Sequence, residues 1–394
     1  MKQCTLFNFS TKKRKIKGNL YYKPNDFIVH EIDLDKRFNN ELKIPNIGII
    51  KGDEKDWVIC TLVKNNISTF DVISKLASFL KTNIKEIRYN GLKDTFGVTT
   101  QYISIKTPNL LPELSKLKKK KFKRFFLKDF FFSDKPCRIR NLFGNHFKIT
   151  IRNYEKNKYV HQILKNFGTN QIFPNFYGHQ RFGVRQNGHA IGKKLLKKDY
   201  ESALKLFCTY SKNESKDICS LRKKIKKNWG NWSLCYSLAK NELFNEKQIF
   251  KSLNKNPQDY IGALNQTGLT SLLLNSYSSY LYNIVLNKLI IKNYKFTFLP
   301  LVGFKTVFKD SLIKKEYLTL LKKEKVSLSD FRNNLYKELS WEGRDKEAFY
   351  IIDNFDFTIN KNKIILEFSL PMGVYANLFL NNLFKNKLKD KKLE

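Results

Sequence analysis

The sequence around Asp94 predicts a strand, a turn and a second strand. Residues 86–89 and 102–105 are short segments of the kind that predicts strands. The link between them contains Asn90, Gly91 and Asp94, whose residue types suit turn geometry. Two strands joined in this way require a sheet, and a rigid sheet edge would hold Asp94 open to substrate. An Asp in a turn is more often structural, so the turn alone assigns no function.

The segments around this turn predict an α+β fold. Residues 57–64 indicate a buried strand, and Ser68 is a candidate N-cap for a helix that starts near Phe70. The apolar positions that share one face of this helix are Phe70, Ile73, Leu76, Ala77 and Leu80. Residues 27–31 predict an edge strand. Together these elements indicate helices on one face of an antiparallel sheet.

The positive charge of the chain points to a polyanionic partner. The 394 residues include 74 Lys and Arg and 35 Asp and Glu, which gives 74 − 35 = +39, far more than solubility requires. The densest basic segment, residues 116–124, predicts a ridge that contacts phosphates, although such a run can equally be a solvated face. Codon bias in an AT-rich genome is another source of part of this charge. No lipidation motif or dominant basic amphipathic helix favours a membrane as the partner.

The sequence gives no sign of a metal site or a bound cofactor. Its six cysteines contain no CxxC pair, and its five histidines do not cluster at ligand spacings. P-loop and dinucleotide fingerprints are also absent from the sequence. The polar, basic start of the chain predicts no secretory signal, so we expect an intracellular protein with reduced thiols. Residues 261–287 lack charges but contain too many polar groups for a membrane span.

Four motifs occur in the order found in one enzyme family. The first two are GLKDTFGVTTQ at residues 91–101 and GNHF at residues 144–147. The others are PNFYGHQRFG at residues 174–183 and LPMGVYA at residues 370–376. On these motifs the sequence resembles the TruD family of RNA pseudouridine synthases, and weaker matches extend the resemblance over most of the chain. Gly97 stands where alanine is more usual in the family, a difference that we expect to be tolerated.

The resemblance implies an isomerase that cleaves the C1′–N1 bond of a uridine in RNA, turns the uracil and rejoins it through C5. It also implies the pseudouridine synthase fold, in which antiparallel sheets and flanking helices surround an active-site cleft. Asp94 is then the catalytic carboxylate, and Lys93 is a nearby cation that can keep it ionised. This chemistry requires no metal, redox group or nucleotide cofactor.

The resemblance further implies substrate contacts. Phe147, at the entrance of a strand predicted over residues 148–152, would stack on the flipped uracil, with Asn145 in the preceding turn. Without the motif, Phe147 would be assigned to the core. Arg181 can hold a backbone phosphate or stack on a base, whereas the alternative is a structural turn in which it binds carbonyl groups.

The N-terminal segment departs from the family pattern. The family has a lysine three residues before the position of Pro24 and an acidic residue just after it, and here those positions are Tyr21 and Asn25. The family lysine is expected to pair with the catalytic carboxylate, so its absence affects the active site. Residues 21 and 23 lie on the same side of an extended chain, about 7 Å apart, and we expect Lys23 to substitute.

A change of pattern divides the chain. Residues 1–187 and 348–394 are expected to form the catalytic domain, and residues 188–347, where helical periodicity dominates, a mostly helical α+β insertion domain. This insertion resembles that of the archaeal and eukaryotic branch of the family. The expected partner is tRNA, with other structured RNAs as the alternative. We expect a monomer that is cytoplasmic, or nuclear if its source is eukaryotic.

Two other functions stay open on the sequence alone. A catalytically silent RNA-binding protein or RNA chaperone would use the same charge, and the departures at Tyr21 and Asn25 are compatible with it. An RNA hydrolase would need a second carboxylate at a fixed separation from Asp94. Glu86 is the nearest candidate in the sequence.

Overall fold

The computed structural model describes residues 15–20, 22–33, 55–107, 116–117, 120, 122–137, 142–168 and 172–384. Contacts divide these residues into two units. The first combines residues from Ser10–Phe173 with residues from Tyr350–Glu394, and the second is Pro174–Phe349. The domain boundaries expected at residues 187/188 and 347/348 stay a prediction.

The first unit is built on an eight-stranded sheet. Its strands are β1 (Phe27–Asp33), β2 (Trp57–Asn65), β3 (Ile87–Tyr89), β4 (Val98–Lys106), β5 (Phe125–Ser133), β6 (Leu142–Arg152), β11 (Asp353–Asn360) and β12 (Lys363–Pro371). The strand order is β11-β12-β6-β1-β4-β2-β5, with β3 also paired to β4. The pairing of β1 with β4 is parallel and the other pairings are antiparallel. The sheet therefore has the expected α+β character, with one parallel pair that the sequence did not predict.

β1 is an interior strand, so the prediction of an edge strand was wrong. It pairs with β6 on one side and with β4 on the other. Both faces of β1 are covered, since Val29 and His30 are each buried. The alternation in this segment identified a strand correctly, but it carries no information about the neighbours that the strand acquires.

Two hydrophobic clusters pack against this sheet. One joins β1, β6 and β12 to the helices α2 (Val160–Gly168) and α11 (Ala376–Leu383). The other joins β2, β4 and β5 to the helix α1 (Thr69–Leu80). These helices bury apolar stripes that neither the helices nor the sheet could cover alone.

The start of α1 is set by the predicted N-cap, because the Ser68 hydroxyl accepts a 3.0 Å hydrogen bond from the Asp71 N–H. The predicted core face needs one correction: Phe70 is 59% exposed. Positions 69, 72, 73, 76, 77 and 80 form the buried stripe. Phe70 lies about 90° from the centre of that stripe, since each residue advances about 100° around a helix.

The second unit is mainly helical. Its helices are α3 (Gly188–Leu196), α4 (Tyr200–Thr209), α5 (Lys216–Lys227), α6 (Trp232–Leu238), α7 (Phe244–Lys255), α8 (Tyr260–Asn265), α9 (Thr270–Ile291) and α10 (Ser311–Glu324). The short strands β8 (Phe298–Leu301) and β9 (Arg344–Glu347) pair with each other. None of the helices that the structure describes has the length and apolar character that a membrane span requires.

The chain leaves the first unit and returns to it at adjacent points. β7 (Ile172–Pro174) pairs with β10 (Phe349–Ile351). Within the first unit, the rings of Phe173 and Tyr350 stack with centroids 5.8 Å apart. Within the second unit, the Asn175 N–H donates a 2.8 Å hydrogen bond to the Ala348 carbonyl.

Candidate active site

The loop that carries Asp94 joins β3 to β4, as the sequence predicts, and buried side chains hold its first half. The Gln101 Nε2 atom donates to the Gly91 carbonyl at 3.1 Å, and its Oε1 atom accepts from the Thr69 hydroxyl at 3.1 Å. The same Thr69 oxygen accepts from the Lys93 N–H at 3.3 Å. Because Thr69 begins α1 and Gln101 belongs to β4, a helix and a strand together fix the backbone of this loop.

Asp94 itself is exposed, and its backbone is held by Lys64. Lys64 lies in β2 opposite Thr99 and is fully buried. Its Nζ atom donates a 2.5 Å hydrogen bond to the Asp94 carbonyl. Burial lowers the pKa of the Lys64 ammonium from 10.5 to about 8, while the Asp94 carboxylate raises this pKa and Lys93 lowers it. Lys64 is therefore a cation in the immediate surroundings of Asp94.

Lys93 contacts a different carboxylate. Its Nζ atom lies 2.8 Å from Glu31 Oε1 and donates to Asn145 Oδ1 at 2.8 Å. The Glu31 carboxylate also accepts from the Tyr102 N–H at 2.9 Å. Glu31 and Asn145 face each other in the β1–β6 register. The two charged side chains are almost wholly buried, so this pair is shielded from salt and holds Lys93 firmly.

Lys23 is an exposed residue just before the turn Pro24–Asp26, and its N–H donates to Asp26 Oδ2 at 3.0 Å. The buried Asp26 carboxylate is bound by the Arg152 guanidinium through bonds of 2.8 and 2.7 Å. Tyr21 lies outside the described residues. Lys64, rather than Lys23, is the lysine whose ammonium contacts the backbone of Asp94.

Phe147 and Asn145 are interior residues of β6, so the prediction of a strand entrance and a preceding turn was wrong. Phe147 is 6% exposed, and its ring stacks on that of Phe368, with centroids 5.3 Å apart and planes at 18°. Phe27 packs nearby, with its ring centroid 6.3 Å from that of Phe147. This packing favours the core interpretation of Phe147, and its role as a stacking partner for uracil stays a prediction.

Arg181 belongs to the second unit, in the short 3₁₀ turn His179–Phe182. Its Nε atom donates to the Ser279 hydroxyl at 2.9 Å, and its guanidinium lies 5.3 Å from the centroid of the Tyr177 ring. Its partners are thus a hydroxyl and an aromatic face, instead of the carbonyl groups that the structural alternative required.

Glu86 is remote from the loop that carries Asp94. It precedes β3, and its carboxylate lies 3.7 Å from the Lys106 ammonium at the far end of β4. Eight residues of extended strand, roughly 26 Å, separate Lys106 from Val98, where the loop joins β4. Glu86 therefore cannot serve as a second carboxylate next to Asp94, and the acid that the site does contain is Glu31.

Sequence reasoning missed Lys64 and Glu31, although both carried a signal. Lys64 lies at the end of the segment that was correctly predicted to be a buried strand. A lysine on a buried strand needs a partner inside the protein. Glu31 alternates with Phe27 and Val29 on one face of β1, so a carboxylate stands where the pattern demands an apolar residue. No cluster of metal-ligating side chains occurs among the residues that the structure describes.

Comparison with known proteins decides the family. The profile of the family "tRNA pseudouridine synthase D (TruD)" matches residues 4–297 and 287–383. The chain belongs to the TruD family. A protein of Methanococcus maripaludis is named "Probable tRNA pseudouridine synthase D 1". It is 30% identical over an alignment of 408 positions, which covers 92% of this chain and 98% of that protein. The resemblance inferred from the four motifs is confirmed.

Other TruD relatives match over nearly their full length. The "Probable tRNA pseudouridine synthase D" of Methanosarcina barkeri is 28% identical, over 98% of this chain and 97% of its own. A crystal structure of a TruD protein from Methanosarcina mazei has a TM-score of 0.64 and 26% identity, and it covers 95% of both chains. This TruD protein is therefore an RNA pseudouridine synthase, an isomerase, and a catalytically silent RNA-binding protein is not favoured.

Proposed function

We propose that Asp94 is the catalytic carboxylate of this pseudouridine synthase and that its substrate is tRNA. One observation carries the assignment: the Asp94 side chain is exposed while buried groups hold the backbone of its loop at Gly91, Lys93 and Asp94. A reactive group that is open to substrate on a fixed backbone is what catalysis requires. The tRNA assignment rests on the names of the relatives.

The reaction balances without a cofactor. The C1′–N1 bond breaks, N1 gains a proton, the uracil turns, and a C1′–C5 bond forms as C5 loses its proton. Because product and substrate are isomers, the protein must supply a charged group for the intermediate and a pocket for the detached base. Asp94 supplies the carboxylate, either by attacking the sugar or base or by removing a sugar proton.

The neighbouring charges have separate tasks in this proposal. Lys64 is the cation that keeps Asp94 ionised and its loop in position, in place of the family lysine. Lys93 is held by Glu31 and Asn145, so it fixes the Asp94 loop against β1 and β6. Lys23, which is exposed, is available to RNA phosphates.

The unit Pro174–Phe349 corresponds in this proposal to the insertion domain expected over residues 188–347. Arg181, which belongs to this unit, is proposed to contact RNA. The protein is proposed to act in the cytoplasm as a monomer, since one chain carries every residue assigned here.

The test is direct mapping of pseudouridine after incubation of the pure protein with tRNA, with ribosomal RNA fragments as comparison. We expect pseudouridine at one or a few tRNA positions, and none with Asp94→Asn. Modification of the ribosomal fragments alone would reject tRNA as the substrate. Modification by the Asp94→Asn protein would reject Asp94 as the catalytic carboxylate.

A further inference from the structure

Lys346, in the second unit, is a partly exposed lysine with uncharged partners. Its Nζ atom donates to the carbonyl and the side-chain oxygen of Asn175, at 2.9 and 2.8 Å. The ammonium lies 4.1 Å from the centroid of the Tyr177 ring and 5.3 Å from that of Tyr282. Aromatic faces attract a cation, but they do not neutralise its charge.

Two arginines share these surroundings. Arg181 lies over the same Tyr177 ring, and its Nε atom is bonded to Ser279. Arg344 is exposed and precedes Lys346 by two residues in β9, so their side chains leave the same side of the strand. Burial, followed by repulsion from Arg344 and then Arg181, lowers the pKa of Lys346 from 10.5 to about 7.

The hydrogen-bond partners of Arg181 and Lys346 are the uncharged residues Ser279 and Asn175. Among the residues that the structure describes, no ion pair joins a carboxylate to Arg181, Arg344 or Lys346. Like charges brought together without an anion raise the free energy of the protein, and a bound anion removes that cost. We propose that Arg181, Arg344 and Lys346 form a binding site for a phosphate group of the RNA backbone.

The chemistry of the site fits a phosphodiester. The Arg181 guanidinium offers planar donors beyond the N–H used by Ser279, and Lys346 offers a compact charge whose position Asn175 fixes. The choice of RNA as the source of the phosphate rests on the proposed function. The affinity of the site for phosphate does not, because it follows from the three charges.

Binding of phosphate should be coupled to a proton. Arg181, Arg344, Tyr177 and Tyr282 are the groups that face the Lys346 ammonium. An anion stabilises the charged ammonium and raises its pKa above 7, so that the complex takes up part of a proton at neutral pH. RNA affinity should therefore fall as the pH rises from about 7 to 9.

The first test compares two variants of the full-length chain, Lys346→Gln and the matched control Lys305→Gln. Lys305 lies in the same unit, is exposed and pairs with Glu342 at 2.7 Å, so both variants lose one positive charge. RNA binding is measured against salt at about pH 6, where Lys346 is mostly charged. We expect about tenfold weaker binding and a log–log salt slope shallower by about 0.7 to 0.9 for Lys346→Gln only. Equal slopes for the two variants would overturn the proposal.

The second test starts from the unaltered protein, in which the absence of proton uptake would reject the site whether or not a variant folds. Calorimetry in two buffers of different ionisation enthalpy measures proton uptake when tRNA or inorganic sulfate, which does not titrate near pH 7, binds at pH 7. Uptake with tRNA that is lost in Lys346→Gln supports the site, and uptake that persists in that variant, or its absence with both ligands, rejects it. Uptake with sulfate alone rejects RNA as the source of the anion. Neither readout depends on turnover, so these results are independent of pseudouridine mapping.

Discussion

The four charged side chains around the catalytic loop compensate one another. The Asp94 carboxylate acts electrostatically on the Lys64 ammonium, and Lys93 is paired with Glu31, so the group contains two carboxylates and two ammonium groups. Only the first of these carboxylates belongs to an exposed residue. A net-neutral group of this kind can be assembled in a partly buried site without the large cost of an isolated charge.

The Asp94→Asn variant should lose turnover but keep its affinity for RNA within about tenfold, because it removes one charge from the chemical step and leaves phosphate contacts in place. Single-turnover assays and RNA titration measure the two effects separately. Glu86→Gln is the control, since Glu86 lies at the far end of β4 and its loss should leave the rate unchanged. Turnover well above background in the Asn variant would contradict the assignment.

The Lys64 ammonium should give the enzyme an upper pH limit. Its pKa is about 8, so kcat should fall as the pH rises through 8 and the cation beside Asp94 is lost. Unfolding does not explain such a fall: this pKa is below its unfolded value of 10.5, so the group makes stability rise with pH between about 8 and 10.5. The measurement is kcat against pH, with a thermal melt at each pH.

Two variants refine that test. The arginine of Lys64→Arg stays charged at every accessible pH. The kcat of this variant should therefore no longer fall as the pH rises through 8. Lys64→Met should lower kcat by about a hundredfold to a thousandfold at pH 7. An unchanged pH profile in the Arg variant would show that another group sets the limit.

At the scale of elements, β6 connects the site to the hydrophobic core, because it carries both Asn145 and Phe147. The Phe147→Ala variant should lose about 3 to 5 kcal/mol of stability, because its buried ring packs on Phe368. Denaturant unfolding measures this loss. Phe147→Leu keeps most of the apolar volume, and full activity in that variant would show that stacking on the base at this position is dispensable.

In this chain the junction between the Asp94 loop and β4 leaves no room for a side chain at Gly97, although alanine is more usual at this position in the family. Gly97 has a φ of +111°, and a Cβ atom there would lie 2.5 Å from the Phe27 carbonyl oxygen in β1. Gly97→Ala should cost more than the roughly 1 to 3 kcal/mol of backbone strain alone. Gly91→Ala is the matched control: its φ is +125° and its Cβ would meet nothing within 4 Å. Equal denaturation midpoints for the two variants would rule out the close approach to Phe27.

The elements that the sequence predicts best are those with local signals. The cap at Ser68, the buried strand β2 and the link between β3 and β4 all follow from neighbouring residues. Contacts between residues that are far apart in the sequence cannot be predicted from neighbouring residues. Lys64 meets residue 94 and Glu31 meets Lys93 only after β1, β2 and β4 have paired, and the parallel register of β1 with β4 has no local signature.

At the scale of the whole molecule, the net charge of +39 should dominate the affinity for RNA. Log affinity should fall linearly with log salt, by about 10³-fold or more between 50 and 200 mM if six or more phosphates are contacted. In the basic ridge, Lys120, Lys123 and Arg124 are exposed, whereas Phe122 stacks on Phe125. Replacing these three cations by Gln should make the slope shallower by about two units. A flat salt plot would contradict this prediction.

Phe173 and Tyr350, at the two ends of the segment between them, lie side by side. A segment whose two ends lie side by side can gain, lose or exchange residues without changing the register of the sheet to which it is attached. Residues between these two positions should therefore tolerate insertions, deletions and exchanges that leave the sheet unchanged. Asp94 lies outside this segment, so such changes should leave its loop and the strands β3 and β4 intact.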